Sequence, residues 1–483
     1  MKEKQLISRR STLKGIGAMG TLTFLNSKTG KSNEIGAANY EIPSYSSDIR
    51  KQVFQKVFQT PFIDTHEHLI EEKGRLVGAA HPRVKCDDWS MVLNHYIDSD
   101  MLSAGMPQAD YNNFFSPLID PVDKWKLLEP YWNAVKNTGY GQAVCIALKE
   151  LYGVAELSAG TVKQVQSGYE EVRRPGFYKR ILGDLANIES CQVNSLEDTP
   201  FKESDMPTFL MQDISILGMY AGPNFKSYSE PAGIQVTTLS DWHRVIDWWF
   251  NKYSLYAVAV KSQNAYSRDI NYEKVPAEKV EATFKKRLEG QSLAPAEQKA
   301  LEDHLFWYAV EKATQCNLPV KLHTGYYAGA NGMPLSRLIN NPGSATDLCR
   351  LAPKTNFVFM HICYPYYEEL ISIAKHYTNA HVDMCWAWIV NPVASKDFLK
   401  KYLLTAPANK ILTFGGDYIP VEPVLGHAII ARRGIALALS ELVEEGWLSL
   451  ENALEVIDPI MHGNARRIFN LPEKEKILKN VKW

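Results

Sequence analysis

Short apolar runs that end in polar residues recur along the chain, and helical patterns separate most of them. Apolar residues with helical spacing fill residues 239–253 and 295–315, directly before the fourth and fifth of these runs. Alternation of strands and helices favours parallel strand pairing. Eight runs predict β-strands, at residues 61–68, 188–194, 208–217, 256–262, 318–326, 357–365, 380–388 and 411–418.

Eight strands in this order predict an α/β fold, a closed (β/α)₈ TIM barrel. The alternative is an open doubly wound sheet, but no G-x-G-x-x-G follows the first strand. Residues 88–187 are mainly helical and too long for a simple crossover. We therefore expect a helical insertion after strand 1 that forms a lid or a side wall.

The N-terminus carries the stretch "SRRSTLKGIGAMGTLTFL", in which Arg9 and Arg10 precede a weakly apolar segment. This pattern is typical of a twin-arginine export signal, which predicts an exported protein of the periplasm or cell envelope. The alternative is a chance arginine pair in a disordered tail. We interpret residues 1–40 as signal peptide and linker, and residues 41–483 as the barrel.

The composition of the chain indicates which classes of binding partner to expect. The 483 residues are 45% hydrophobic and 22% charged, with a formal net charge of −1, so nothing indicates a nucleic-acid partner. No apolar run is long enough to predict an ordinary membrane span. The seven cysteines include no C-x-x-C pair, and several lie in apolar runs where they are expected to be buried. We expect a small-molecule substrate, and a homo-oligomer remains compatible with the sequence.

The run "PFIDTHEHL" contains two histidines, His66 and His68, that are candidates for metal binding. In a β-strand residues i and i+2 face the same side, so His66 and His68 would share a face while Glu67 points away. Two imidazoles that converge from one strand end are suited to a metal ion. The alternative is a coincidental pair in a loop.

Polar residues also end several other predicted strands. In such barrels the active site lies at the C-terminal ends of the strands. Imidazoles and a carboxylate suit Zn²⁺, Mn²⁺ or Fe²⁺, and an open coordination position lowers the pKa of a bound water from ~15.7 towards ~7. A strand-end carboxylate can act both as a ligand and as a general base. Each residue alone is more typical of a structural role, but together they predict a metal site: His66, His68, Lys261, His323, His361 and Asp417.

Lys261 needs a separate interpretation. Burial and a nearby metal charge would depress the pKa of its ammonium group, because both disfavour the charged form. A neutral amine can react with CO₂ to give a carbamate, which is a bridging anion. The alternatives are a contact with a substrate carboxylate and a plain buried salt bridge.

Several motifs resemble those of the amidohydrolase superfamily of metal-dependent hydrolases. The resemblance covers roughly residues 55–472 and rests on "DTHEHL", "PVKLHTG", "HICYPYYEEL" and "GGDY". The chain is most similar to the amidohydrolase-related branch, which includes the domain fused to glutamine-synthetase-like chains. The stretches similar to that branch are "KLLEPYWNAVKNTGYG", "VKSQNAYSRDI" and "HTGYY…NPGSATDL". Uronate isomerases resemble the chain more distantly.

The resemblance implies a ligand set. By position, His66, His68 and Asp417 would hold one divalent ion, with Zn²⁺ expected first. His323 would complete a mononuclear site or belong to a second ion. His361 would bind that second ion or form a hydrogen bond with the metal-bound water.

The resemblance also bears on Lys261 and on the segment after His323. Lys261 matches the position where some members carry a carboxylated, bridging lysine, while others keep a plain lysine or lack it. The centre would therefore hold one or two ions. The fused-domain branch often has an acidic residue soon after "HTG", where this chain has Tyr326 and Tyr327.

Arginines and aromatic residues just beyond strand ends are candidates for substrate binding. A guanidinium group can clamp a carboxylate, and an aromatic ring can stack on a sugar. The alternatives are surface salt bridges and core aromatic residues. The candidates are Arg268, Tyr326, Arg337, Trp386 and Trp388.

These observations favour hydrolysis of a C–N or C–O bond, in an amide, lactone or ester of a small polar substrate, by metal-activated hydroxide. The catalytic candidates are Asp417, His361 and Lys261. The alternatives are a uronate-isomerase-like reaction, a decarboxylase-type lyase, and a non-catalytic metal- or ligand-binding protein on the same barrel.

Overall fold

The computed structural model describes residues 47–220, 225–330 and 332–483, which all belong to one compact unit. The export motif at Arg9 and Arg10 therefore lies outside the described residues. The strands are β1 Phe62–Glu67, β2 Ile188–Val193, β3 Leu210–Gln212, β4 Ile214–Ser215, β5 Val260–Ser262, β6 Val320–Leu322, β7 Phe357–Phe359, β8 Ala380–Asp383 and β9 Ile411–Leu412.

Every pairing between these strands is parallel, in the orders β1-β2-β3 and β4-β5-β6-β7-β8-β9. β3 and β4 are one continuous run that is interrupted at Asp213. The run remains attached to the next strand, because Val258 N donates to Gln212 O and Ile214 N donates to Ala259 O.

The sheet closes on itself through the segment after β9. Thr65 N donates to Phe414 O at 3.0 Å, and Asp417 N donates to His66 O at 2.9 Å. The predicted TIM barrel is therefore confirmed, with each of the eight predicted runs in its wall.

Helices cover the outside of the barrel. α1 Asp48–Gln59 precedes the first strand. The segment between β1 and β2 contains α2 Glu72–Val77, α3 Ile97–Ser103, α4 Gln108–Phe114, α5 Lys124–Val135, α6 Gly139–Tyr152 and α7 Val162–Val172. The later helices are α8 Leu217–Tyr220, α9 Phe225–Ser229, α10 Leu239–Tyr253, α11 Glu281–Leu288, α12 Pro295–Gln315, α13 Leu335–Leu338, α14 Asn341–Leu351, α15 Tyr367–His376, α16 Ala387–Val390, α17 Pro392–Thr405, α18 Glu422–Glu444, α19 Leu450–Asp458, α20 Asn464–Ile468 and α21 Leu471–Leu478.

Shorter helical turns complete the element order. The 3₁₀ turns are Gly78–Ala80, Trp89–Leu93, Asn264–Tyr266, Ala277–Lys279, His361–Cys363 and Ala408–Lys410. The π-helical turns are Lys179–Leu185 and Pro459–Gly463.

Two outer helices show why these residues form these elements. α10 begins at a capping box, in which the Thr238 hydroxyl accepts from Asp241 N and the Asp241 side chain bonds back to Thr238 N. α12 begins with Pro295, whose fixed φ suits a first helical turn. Both helices have the bounds that their apolar patterns predict.

The helical insertion docks on the barrel through α6 and α18. A Cβ atom on Gly426 would collide with the carbonyl oxygen of Ala143, so the close approach of these helices depends on glycine at that position. The insertion also reaches the C-terminal ends of the strands, where the Tyr96 hydroxyl donates to Asp417 O.

The barrel interior and α20 and α21 share a separate apolar cluster. Strand residues such as Ile63, Met211 and Val358 pack there with Phe469 and Leu471. This packing fills the part of the barrel interior that does not line the cavity described below. Within the described residues, no helix is both long enough and apolar enough to span a membrane.

Candidate metal centre

His66, His68 and Asp417 converge at the barrel mouth. The Nε2 atoms of the two histidines lie 3.3 Å apart, and they lie 3.2 Å and 3.3 Å from Asp417 Oδ1. Four-coordinate zinc has bonds of about 2.0–2.2 Å to such atoms, which separates its ligand atoms by about 3.3–3.6 Å. The three side chains therefore fit one divalent ion with little rearrangement.

Hydrogen bonds from the far ring nitrogens orient two of the imidazoles. His68 Nδ1 donates to Asn194 O at 2.7 Å, and His361 Nδ1 donates to Cys385 O at 3.0 Å. In each neutral ring this bond leaves the lone pair on Nε2, as a metal ligand requires. Burial lowers the pKa of His66, His68 and His361 well below the usual histidine value, so all three are neutral near pH 7.

Asp417 is held by its backbone. Its φ is 62°, and its carbonyl oxygen accepts from the Tyr96 hydroxyl at 2.6 Å. Oδ1 faces the two histidines of β1, while Oδ2 lies 3.9 Å from His361 Nε2. Burial raises the pKa of this carboxyl to about 7, and a bound cation would reverse that shift.

Left-handed backbone recurs where strands leave the barrel. His361 has φ 61° after β7, Trp386 has φ 63° after β8, and Asp417 has φ 62° after β9. Non-glycine residues adopt this conformation at an energetic cost and are concentrated at functional sites. The backbone after these three adjacent strands therefore has the strained conformation that is typical of a functional site.

Lys261 reaches the same cavity. Its side chain is buried, and Nζ lies 2.8 Å from Met360 Sδ. Burial lowers the pKa of Lys261 to about 8, although the charge of Asp417 opposes the shift. A fraction of this amine is therefore neutral near pH 7, which is the form that reacts with CO₂.

His323 is oriented differently from the other three histidines. Its Nε2 donates to Tyr326 O at 2.9 Å, so the lone pair of the neutral ring is on Nδ1. The His323 ring lines the cavity but is not part of either group of candidate metal ligands that the described residues form. The second group consists of His361, Cys385 and Asp417.

A cavity of about 300 Å³ opens beside these groups. Some of its lining residues follow predicted strands, and others come from the helical insertion. The lining residues are His68, His95, Tyr96, Leu196, Leu217, Lys261, Gln263, Tyr266, His323, Ala328, His361 and Asp417.

Five polar residues at this site were not singled out from the sequence, and one of them, Tyr266, lies in the 3₁₀ turn after β5 and lines the cavity. Gln263 follows β5 directly and donates from its amide to His68 Nε2 at 2.9 Å, so its position after a predicted strand was a usable signal. Cys385 was expected only to be buried. His95 and Tyr96 lie in the insertion, where no strand-end pattern applies.

The candidate substrate-binding residues have diverse surroundings. Arg268 forms ion pairs with Glu302 and Asp303. Arg337 donates to the Tyr327 hydroxyl and to the backbone oxygens of Ser267 and Tyr266. The cavity lining includes neither arginine.

The three aromatic candidates for substrate binding also have different surroundings. Tyr326 lines a second cavity, and its ring lies 5.8 Å from that of Trp386. Trp386 is fully buried, with its ring 5.2 Å from that of His361. Trp388 donates to Thr413 O and packs against Gly434, away from the metal ligands.

Comparison with known proteins gives one family match and several distant relatives. The sequence model of the family described as Amidohydrolase matches residues 274–471. Protein fluG of Emericella nidulans is 28% identical over 165 residues, which are 34% of this chain and 18% of that protein's length. The chain thus matches less than a fifth of this relative.

Several uronate isomerases match over most of their length. The uronate isomerase of Corynebacterium efficiens is 21% identical over 466 residues, covering 88% of this chain and 96% of that protein. The crystal structure of uronate isomerase from Thermotoga maritima has a TM-score of 0.71 and 14% identity, covering 89% of this chain and all of that one. These likenesses support the barrel fold.

The family match spans β6 to β9, which carry His323, His361 and Asp417. The first strand supplies the two histidines that complete the ligand cluster. The match over residues 274–471 and this geometry support the resemblance to the amidohydrolase superfamily.

Proposed function

We propose that this chain is a metal-dependent hydrolase that cleaves a C–N or C–O bond in a small polar amide, lactone or ester. The position of Asp417 is the observation that carries the proposal. One oxygen of its carboxylate faces His66 and His68, and the other faces His361 and the cavity. One side chain can thus serve as a ligand and also accept a proton.

His66, His68 and Asp417 would hold the ion, and zinc suits two imidazoles and one carboxylate best. When bound, the ion supplies Lewis-acid chemistry and makes water more acidic. Asp417 Oδ2 takes the proton that water gives up as it attacks the substrate. With one ion bound, His361 Nε2 would accept a hydrogen bond from the same water, because its Nδ1 already donates to Cys385 O.

Lys261 favours hydrolysis over the alternatives. Its buried amine lies in the cavity beside Asp417, and its lowered pKa makes the neutral form available. As a carbamate it would bridge two ions, and as a plain lysine it would bind a substrate carboxylate. A bridged centre suits hydroxide generation better than sugar isomerisation.

The cavity restricts the substrate class. A volume of about 300 Å³ is at the lower end for ligand pockets, which span about 300–1,000 Å³. Its polar groups are mainly neutral donors and acceptors, including Gln263 and Tyr266. We therefore expect a small polar substrate.

Substitution of Asp417 tests the proposal. Asp417→Asn should keep the fold but lower turnover by ~10² or more, because a general base is lost. His66→Ala should instead lose the metal. Asp347→Asn is the matched control, because Asp347 is exposed and pairs with Arg350 at 3.2 Å. Full turnover in Asp417→Asn would show that Asp417 is not the base.

Isomerisation of a uronate is the second candidate, because a curated uronate isomerase aligns with 88% of this chain. Product mass separates the reactions on panels of lactones, amides and uronates. Hydrolysis adds the mass of one water to a lactone and splits an amide or ester into an acid and an amine or alcohol. Isomerisation leaves the mass unchanged, and decarboxylation removes CO₂. A uronate converted without any change of mass would replace the hydrolase proposal.

We also propose that the chain is exported through its twin-arginine segment. The motif "SRRSTLK" supports this proposal. Replacing Arg9 and Arg10 by lysine should leave the protein in the cytoplasm. Normal levels of the doubly substituted protein outside the inner membrane would refute it.

A further inference from the structure

We infer that Cys385 is a thiolate ligand of a second, weaker metal site, formed by His361, Cys385 and Asp417. The inference rests on the metal centre proposed above and extends it by one ion and one ligand type. The ligand atoms of these three side chains all lie within 4.8 Å of one another, and all three residues are buried.

His361 provides an independent indication of a ligand. Its Nδ1 donates to the carbonyl oxygen of Cys385 itself, at 3.0 Å, so the backbone of Cys385 fixes the ring orientation. The other nitrogen, Nε2, is buried and has no hydrogen-bond partner among the described residues. Its nearest carboxylate oxygen is Asp417 Oδ2, at 3.9 Å. A buried lone pair without a donor is what a metal site supplies before it is filled.

The chain makes room for the sulfur atom. A Cβ atom on Gly415 would lie 2.8 Å from Cys385 Sγ, so a larger residue there would displace the thiol. The backbone N of Cys385 donates to Asp383 Oδ1 at 2.8 Å, which anchors the turn after β8. The thiol is thereby held next to His361 and Asp417.

His323 does not offer the same fit. Its Nε2 is engaged by Tyr326 O, and its ring belongs to neither candidate ligand group. The most direct second site therefore uses the ends of β7, β8 and β9, with sulfur in place of a further imidazole. Thiolate ligands favour zinc and other soft divalent ions over Mg²⁺ or Mn²⁺.

The two sites should differ in affinity. The His66, His68 and Asp417 atoms already have the spacing of a tetrahedral ion. In the second site His361 Nε2 and Asp417 Oδ2 lie 3.9 Å apart, so binding must draw these atoms together by about 0.3–0.6 Å to reach the ligand spacing of about 3.3–3.6 Å that zinc requires. Binding also releases the thiol proton to solvent, because the ligand is the thiolate. The second ion should therefore bind more weakly.

Cobalt titration of the chelator-treated full chain tests the inference. The first equivalent of Co²⁺ should bind without a thiolate-to-cobalt charge-transfer band in the near ultraviolet, and the second should produce that band. Cys385→Ala should bind one equivalent and show no band. Cys191→Ala is the matched control, because Cys191 is also buried in the barrel wall but belongs to no candidate ligand group, and it should bind two equivalents and show the band.

X-ray absorption of the two-cobalt wild type provides a readout that needs no variant, with a sulfur neighbour expected at about 2.3 Å. Binding of one equivalent without sulfur would overturn the second site but leave the proposed hydrolase centre standing. A band with the first equivalent would assign Cys385 to the first ion and also overturn the second site. Failure to bind any Co²⁺ would overturn both proposals.

Discussion

Lys261 and Lys321 are register partners on adjacent strands of the barrel, and both are buried. Lys321 donates to Asp213 Oδ2 at 2.8 Å and to Thr65 O at 2.7 Å. Lys261 has no carboxylate within salt-bridge distance among the described residues, and its nearest polar contact is the sulfur of Met360. The charge of Lys321 is therefore neutralised by an ion pair. The amine of Lys261 has no such partner among the described residues and remains available for chemistry.

The surroundings explain the difference. Asp213 interrupts the third strand between β3 and β4, and its carboxylate neutralises Lys321 inside the barrel. Asp417 influences Lys261 electrostatically, but its oxygens are directed to the three histidines. Asp213 therefore has a structural role as the ion-pair partner of Lys321. Asp417 remains available to bind the metal ion.

The largest effect should come from Lys321→Met. Removal of this ammonium leaves Asp213 buried without its cation, and breaking a buried pair in this way costs about 3–5 kcal/mol. Denaturant unfolding followed by circular dichroism measures the loss, and Lys261→Met is the matched control. Adding Asp213→Asn to Lys321→Met should recover part of the loss. If Lys321→Met were no less stable than Lys261→Met, the contrast between the two lysines would be wrong.

Lys261→Met should stabilise the metal-free protein at pH 7. Burial lowers the pKa of Lys261 from 10.5 to about 8, so charging this group in the folded state costs about 3 kcal/mol. Because the folded pKa lies below the unfolded value, the unfolded state binds more protons between pH 8 and 10.5. Unfolding free energy of the wild type should therefore rise with pH across that window.

The pH profile of Lys261→Met is the control for this assignment. In the variant the rise between pH 8 and 10.5 should flatten, because the titrating amine is gone. An unchanged rise would assign it to another group.

Turnover should respond to Lys261 in the opposite direction to stability. Lys261→Met should lower turnover by ~10² or more, the scale of a lost acid–base or positioning group. Lys261→Arg should not restore it, because a guanidinium group stays charged and forms no carbamate. Steady-state kinetics on the substrate found by the panel measures both variants. Full activity in Lys261→Met would make this lysine a bystander.

Met360→Leu should have the smallest effect. The thioether is a weak acceptor, and a volume-conserving swap in a core costs under about 1.5 kcal/mol. Turnover and the pH profile of stability should both remain close to those of the wild type. A large shift in either would mean that the sulfur contact is a real partner of Lys261.

The two lysines also show which features of the site can be predicted from the sequence. "YAVAVKS" and "LPVKLHTGY" both place a lysine after an apolar pair in a strand. Only Lys261 was predicted to be at the site, because it ends its predicted strand, whereas His323 ends the later one. The partner of Lys321 comes from the third strand, more than a hundred residues earlier. Pairing of this kind is a property of the closed barrel and not of any local pattern.

The fold and the rest of the site also divide into features that follow from local patterns and features that depend on tertiary packing. Period and length were sufficient to predict eight strands and the bounds of α10 and α12. His66, His68, His361 and Asp417 could be predicted as one cluster because strand ends meet at the barrel mouth. His95 and Tyr96 could not, because they reach the site through the docking of a helical insertion.

The central claim is that the barrel mouth binds a metal ion on His66, His68 and Asp417. Crystal diffraction at the absorption edge of the metal in the purified protein tests it most directly. We expect an anomalous peak about 2.0–2.2 Å from His66 Nε2, His68 Nε2 and Asp417 Oδ1. A protein purified without metal that also takes none up, or an anomalous peak away from these three atoms, would contradict it.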